Sequence, residues 1–344
     1  MVLKSVTTLH LKVLTLPYYK EQQVSDKPVL LIDLLNLYCR CFSSIPLTND
    51  NGEHVGGFYG SLNALQSYIN KFSPSECIIA WEGAGSSQKR RKKLEDYKRG
   101  RKMVGMRRGF ETSDESEKEA FARQLEALKE AMEFLPLKQV AVKYLEADDV
   151  IAYMCKNTIK DRKKVIVSTD RDYLQLVDEN TSVFRPVKTK TNKQGEFIDL
   201  EWMHQKENIH PPNYALLKAV VGDKSDNIQG VKGIGEKTAR NQIHLLWDNE
   251  KSYDAGDFID WAKGRSEKKY QKYVENEELI KLNYSIVQLQ ELDISLAAID
   301  TINKTYDKDA PKFNSYKFRI NLLNENVSPS NLDNWVASFS ILKN

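Results

Sequence analysis

Scarcity narrows the field first. The 344 residues include only four cysteines, Cys39, Cys41, Cys77 and Cys155, which form no CxxC pair and match no zinc spacing. That excludes a zinc-ribbon reading, fits a reducing compartment and leaves buried small hydrophobes as their plain use. No apolar run approaches the length that crosses a bilayer, and Met1–Lys27 has neither a long apolar core nor a small-residue cleavage site. A soluble, intracellular protein without a membrane partner is expected. Charge of one sign is also missing: 51 Lys and Arg face 48 Asp and Glu, a net of +3 that names no partner. Internal repeats and low-complexity tracts are absent.

What is present is a hydrophobic fraction of 41%, enough to fill one large or two smaller domains. Three compact apolar runs stop at carboxylates. Val29–Ile32 runs into Asp33, Cys77–Trp81 into Glu82, and Val165–Ser168 into Thr169-Asp170. Their shortness fits buried strands. Helical stretches over Gly60–Phe72, Ser113–Phe134 and Ala147–Ile159 separate them, and alternation of this kind indicates an α/β fold with a mostly parallel central sheet flanked by helices. Ligands of such sheets bind beyond the carboxyl ends of the strands, so the acids should converge there. After about residue 205 the strand signal fades. We expect a boundary within Glu201–Pro211, dividing an α/β core of residues 28–205 from a mainly helical region of residues 206–344, with residues 1–27 as an extension.

More acids join the three at the strand ends. Glu146, Asp148 and Asp149 stand at the start of an apolar-periodic helix, where capping accounts for one or two acids but not three. Asp170 and Asp172 lie two apart, so a persisting strand would point both to one side. Asp223 and Asp226 lie three apart in a helical or tight turn. Nine gathered carboxylates would repel one another unless cations offset them. Oxygen ligands without His or Cys select magnesium or manganese. A pair of such ions can drive in-line hydrolysis of a phosphodiester. Each acid taken singly has a bland reading as a turn or cap residue; the set does not.

Between Gly83 and Phe110 there are eleven Lys or Arg and two acids. Gln88–Lys102 interleaves Leu94 and Tyr97 with cations, so a helix there would be amphipathic, with either a solvated charged face or a phosphate-binding one. Its place just after Glu82 favours phosphate contact. The run from Gly230 to Ala239, GVKGIGEKTA, can form a tight turn with outward N–H groups and then open a helix, which would grip a duplex backbone without reading sequence.

The strings LLIDLLNLY, IIAWEGAG, YKRGRK, YLEADDVIA, VIVSTDRDYLQL, VVGDKSDNIQGVKGIGEKTA and, more faintly, YQKYVENEELIKLNYSIV follow one another from Val29 to Val287. In this order they resemble the 5′-nuclease family of flap endonucleases and the nuclease domain of bacterial DNA polymerase I, most of all its bacteriophage ribonuclease H type. The resemblance implies a PIN-like core and a Mg2+-dependent 5′-3′ exonuclease or flap endonuclease, with Mn2+ as a substitute and RNase H activity toward RNA primers. It implies that Asp33, Glu82, Glu146, Asp148 and Asp170 surround one metal ion and that Asp149, Asp172, Asp223 and Asp226 complete a second site. Lys98 and Arg101, with Arg90, would handle the scissile phosphate. Residues 83–114 would form an arch, with Met103–Asp114 its mobile part. Gly230, Lys232, Gly233, Gly235, Lys237 and Thr238 would form a helix-hairpin-helix that holds duplex DNA and a K+ ion.

Implied partners are branched or nicked DNA and RNA–DNA duplex, with a single-strand-binding protein or sliding clamp as candidates. The sequence shows no polymerase-sized extension, so a free-standing monomeric nuclease is expected, placed in a host cytoplasm if the origin is a phage. One departure from the family is Glu82, where an Asp is usual. It keeps open an alternative, a branched-DNA-binding protein with weakened or lost catalysis. A PIN-type ribonuclease is the other rival, and the basic segment and GVKGIGEKTA hairpin speak against it. The apolar tail at Trp335–Leu342 reads as ordinary packing or as a partner-docking segment, and packing is the expectation.

Overall fold

The computed structural model describes residues 27–100, 105–106, 116–187 and 195–342. Arg101, nearly all of Met103–Asp114 and residues 1–26 lie outside them.

The apolar runs form the middle of one six-stranded sheet. Its strands are β1 (Val29–Asp33), β2 (Glu76–Trp81), β3 (Lys138–Ala141), β4 (Lys164–Val167), β5 (Thr181–Arg185) and β6 (Glu196–Ile198), in the spatial order β3-β2-β1-β4-β5-β6. The first five pair in parallel and β6 closes the edge antiparallel. Every residue of β1 is buried, as expected for a strand covered on both faces. Alternate side chains feed different cores. Val29, Leu31, Ile78, Ala80 and Ile166 pack on one face, while Leu30, Ile32, Cys77, Ile79, Val165 and Val167 pack on the other.

The second face is covered by helices Leu34–Ser44, Gly56–Phe72 and Glu117–Glu133. The first face carries helix Ala147–Tyr153, which passes into a wider turn at Met154–Thr158, together with the helices Tyr214–Val221, Ala255–Lys263 and Glu277–Val287. From Pro211 onward, the only strands among the described residues are the two-residue pair Gly222–Asp223 and Ile228–Gln229. The tail is packing: helix Leu332–Ser340 buries Trp335 and Phe339 completely on the second face, with Trp335 against Tyr59 at 5.3 Å between ring centroids. The four cysteines are free thiols, three of them buried. No helix among the described residues is long and apolar enough to cross a membrane.

Two local expectations are corrected. The basic segment is not one helix. Among the described residues it is helical only over Gln88–Lys93, ends at Leu94, and then folds into turns in which Lys98 and Gly100 have positive φ. Five cations in six residues, with no acid in the first turn to offset them, give a helix little to propagate on. Nor do Asp170 and Asp172 share a side as strand neighbours. β4 stops at Val167, and Asp170 instead caps a 3-10 helix at Arg171–Leu176 by accepting the Asp172 N–H at 2.9 Å.

Candidate active site

The chain order 3-2-1-4-5 reverses direction at β1, so the carboxyl ends of β1 and β4 open on a crevice. Asp33 lies at its floor. It caps helix Leu34–Ser44 through the Asn36 N–H at 3.1 Å, while its other oxygen accepts from Ser168 Oγ and Tyr173 Oη, each at 3.2 Å. Burial, with Asp170 and Asp148 nearby adding to it, raises the Asp33 carboxyl from 3.8 to about 6. Glu82, one residue beyond β2, is raised from 4.5 to about 7 by burial and by the charges of Glu146 and Asp148. Asp33, Glu82, Glu146, Asp148 and Asp170 therefore line one cleft of about 470 Å3, with Lys98 at its side.

Cations hold Glu146 and Asp148 in place. Glu146 is almost fully buried, yet its Oε2 accepts from Lys98 Nζ at 2.7 Å and Tyr97 Oη at 3.1 Å and pairs with Arg90 at 3.0 Å. Arg90 forks across Asp148 and Asp149 at 2.9 to 3.3 Å and donates Nε to the Ile286 carbonyl at 3.0 Å. Its burial alone would lower the guanidinium pKa, but the three carboxylates raise it well above normal. The same balance raises the Lys98 ammonium.

The other acids stand apart from the cleft lining. Asp149 faces Arg90 and accepts the Glu146 N–H at 3.1 Å. Asp172 and Asp223 share Lys218, which lies 3.0 Å from Asp172 and closer still to Asp223. Asp226 receives the Lys98 N–H on its backbone carbonyl at 3.0 Å. With these internal counter-ions in place, no three His, Cys, Asp or Glu side chains among the described residues are yet drawn together tightly enough to enclose a metal ion.

Sequence reasoning missed Lys218, a lone cation in an apolar helix four residues before Gly222. It also missed Asn36, which accepts from Thr169 N and Oγ1 at 3.0 and 2.9 Å and so ties β4's end to β1's. The signal for Asn36 was its spacing three residues after a capping Asp. Arg40 and Ser43, on the same helix, also line the cleft.

The glycine hairpin lies between helices Tyr214–Val221 and Glu236–Gln242. A Cβ on Gly230 would sit 2.0 Å from the Val221 carbonyl oxygen, so that position requires glycine. Gly233 has φ +77°, and a Cβ on Gly235 would meet nothing within 4 Å. Lys232, Gly233, Gly235 and Lys237 are exposed, and Thr238 is half-buried.

An acid-lined crevice at the carboxyl ends of a parallel sheet, with Lys98 at its side, is an arrangement able to take divalent cations and a phosphate group. The chain belongs to the 5′-3′ exonuclease family: the family's N-terminal resolvase-like domain matches residues 28–208 and its C-terminal SAM fold residues 209–309. It is 35% identical over 213 residues to the thermostable DNA polymerase I of Thermus caldophilus, a match covering 61% of this chain and 23% of the polymerase. It thus spans about a quarter of the length of the curated polymerases it matches. The 5′-3′ exonuclease of Buchnera aphidicola subsp. Acyrthosiphon pisum is 28% identical over 287 residues, which cover 82% of this chain and 94% of that protein. Among solved structures, T5 5′-exonuclease with bound zinc ions is 25% identical with a TM-score of 0.58, covering 87% of this chain and 99% of that one. Human GEN1 in complex with Holliday junction DNA shares the fold at 12% identity, with a TM-score of 0.54 over 92% of this chain and 71% of that one.

Proposed function

We propose that the protein is a structure-specific 5′-nuclease that hydrolyses phosphodiesters at the 5′ ends of flaps, nicked duplexes or RNA primers with Mg2+, or Mn2+ in its place. The observation that carries the reading is the convergence of Asp33, Glu82, Glu146, Asp148 and Asp170 on one cleft beside Lys98. The donor set fits a hard divalent cation. The acids facing the cleft are carboxylates, none of the described histidines lines it, and Glu146 Oε1 is buried without a hydrogen-bond partner. Asp149, Asp172, Asp223 and Asp226 would serve a second ion. When bound, such ions polarise water and offset charge on the phosphodiester.

The chain's own groups do the rest. Asn36, Ser168 and Tyr173 fix the Asp33 carboxylate. Arg90 orients Asp148 and Asp149. Lys98, paired with Glu146, would set its ammonium against a scissile phosphate that enters the cleft, and Arg101 would act with it. Lys232 and Lys237 with the open backbone at Gly233 and Gly235 would hold duplex phosphates, with K+ as a further ligand of that hairpin and Thr238 steadying its helix. Residues 28–205 would carry the chemistry and residues 206–344 the duplex. Single-strand-binding and clamp proteins are the partner classes this role implies, for a monomer acting inside a cell.

The test is cleavage of a 5′-labelled flap and an RNA-primed nicked duplex, with Mg2+ and with chelator, comparing wild type with Asp170→Ala. Short 5′ products that need Mg2+ and vanish in the variant are expected. Tight binding of branched DNA without cleavage under Mg2+ or Mn2+ would instead favour a binding protein whose Glu82 has weakened catalysis.

A further inference from the structure

The Lys98 turn has a second support, lying outside the acid cluster. The side-chain amide of Asn227 donates to the carbonyls of Asp96 at 3.0 Å and Arg99 at 2.6 Å, spanning the turn that carries Lys98. The adjoining Asp226 carbonyl takes the Lys98 N–H at 3.0 Å. Both Lys98, at φ +51°, and Asn227, at φ +59°, are left-handed, so the two turns interlock where ordinary L residues are strained. Beneath them Tyr97 packs with Ile228, Ile286 and Val287 in an apolar cluster separate from the two main cores. Asn227 stands three residues before Gly230, where the hairpin begins.

We infer that Asn227 is a positioning residue that couples the hairpin region to Lys98. By clamping the Asp96 and Arg99 carbonyls, it holds the turn from which Lys98 reaches the cleft. The inference rests on the nuclease reading for its effect on rate, but the clamp itself can be tested without it.

Two measurements on Asn227→Gly separate these. Glycine keeps the positive φ and deletes only the amide. Hydrogen exchange of the Leu94–Arg99 amides in the free protein should accelerate in Asn227→Gly; unchanged exchange would overturn the clamp whether or not the protein cuts DNA. In single-turnover cleavage with Mg2+, the variant should lose roughly ten- to a hundredfold in rate with duplex Kd unchanged. In the background of Lys98→Ala, Asn227→Gly should cost little more, since both act through one ammonium. Additive losses, or a loss confined to duplex affinity, would reduce Asn227 to a structural residue and overturn the coupling. Asn227→Asp, which keeps the shape but sets a carboxylate against two carbonyls, should be at least as impaired as Asn227→Gly; wild-type rate in this variant would also count against the clamp.

Discussion

Lys98 shows how one side chain takes its meaning from its surroundings. On sequence alone it is one of eleven cations in a basic run. In the fold it is mostly buried, paired with Glu146 at 2.7 Å and set over the Tyr97 ring at 5.1 Å. Lys98→Ala should lower single-turnover cleavage by about a hundred- to a thousandfold, the size seen when a charge stabilising a developing oxyanion is lost. Duplex affinity should change far less, and a gel-shift titration beside the rate measurement separates the two. Asp33 and Glu82 supply a second expectation. Both folded-state pKa values are raised, to about 6 and about 7, so their contribution favours the fold at low pH and is lost as pH rises through those values. A divalent cation pulls both pKa values down and removes that loss. Magnesium should therefore raise the melting temperature near pH 8 more than near pH 5, and a chelator should reverse the gain. Equal shifts at both pH values would place the ion elsewhere.

Among elements, the hairpin separates packing from binding. Gly230 and Gly235 read alike in the sequence, as glycines of one motif. In the structure a Cβ at Gly230 would run into the Val221 carbonyl, whereas one at Gly235 would enter open space. Gly230→Ala should lower the melting temperature. Gly235→Ala should leave it unchanged and weaken duplex binding several-fold, because the added methyl meets an incoming backbone and not the protein. Thermal melts paired with a binding titration decide this, and a stability loss at Gly235 would rule out an open hairpin face. The basic segment gives the opposite lesson about legibility. Its interleaved Leu94 and Tyr97 suggested an amphipathic helix, but repulsion among its cations leaves helix only over Gln88–Lys93 among the described residues. What then orders the remaining turns is remote: the Asn227 amide, the Asp226 carbonyl and the Tyr97 cluster. No local pattern announces such partners.

For the whole molecule, the sheet's amino end is as organised as its carboxyl edge. Glu76 at the start of β2 pairs with Lys138 of β3 at 3.1 Å and with Arg162 just before β4, and Arg162 also donates to Tyr306 Oη at 2.7 Å. Burial works to raise the Glu76 carboxyl, but the bonds from Arg162 and Lys138 outweigh it and hold the pKa below 4.5. A depressed carboxylate stabilises above its unfolded value, and that contribution fades as pH falls through the folded one. Glu76→Gln should thus melt lower than wild type at pH 7, and the gap should narrow as pH falls below 4.5. A gap unchanged with pH would mean that lost packing, not charge, is responsible. The tail acts at this scale too. Phe318, Trp335 and Phe339 come from the far end of the chain to cover the face that helix Gly56–Phe72 occupies.

The sequence by itself determined what depends on neighbours a few residues away. Short apolar runs became parallel strands because both faces of each had to be buried, and each run's closing carboxylate fell at the sheet's carboxyl edge because a strand fixes the direction in which its end points. Gly233 was legible for a similar reason, since its positive φ answers to local backbone sterics, whereas the need for glycine at Gly230 comes from the Val221 carbonyl nine residues away. Tertiary structure alone decided how the nine acids divide. Asp33, Glu82, Glu146, Asp148 and Asp170 line the cleft, Asp149 turns to Arg90, Asp172 and Asp223 share Lys218, and the Asp226 backbone carbonyl takes the Lys98 N–H. That division follows Coulomb interactions among groups far apart in the chain, and their distances exist only once the sheet and the helices have packed.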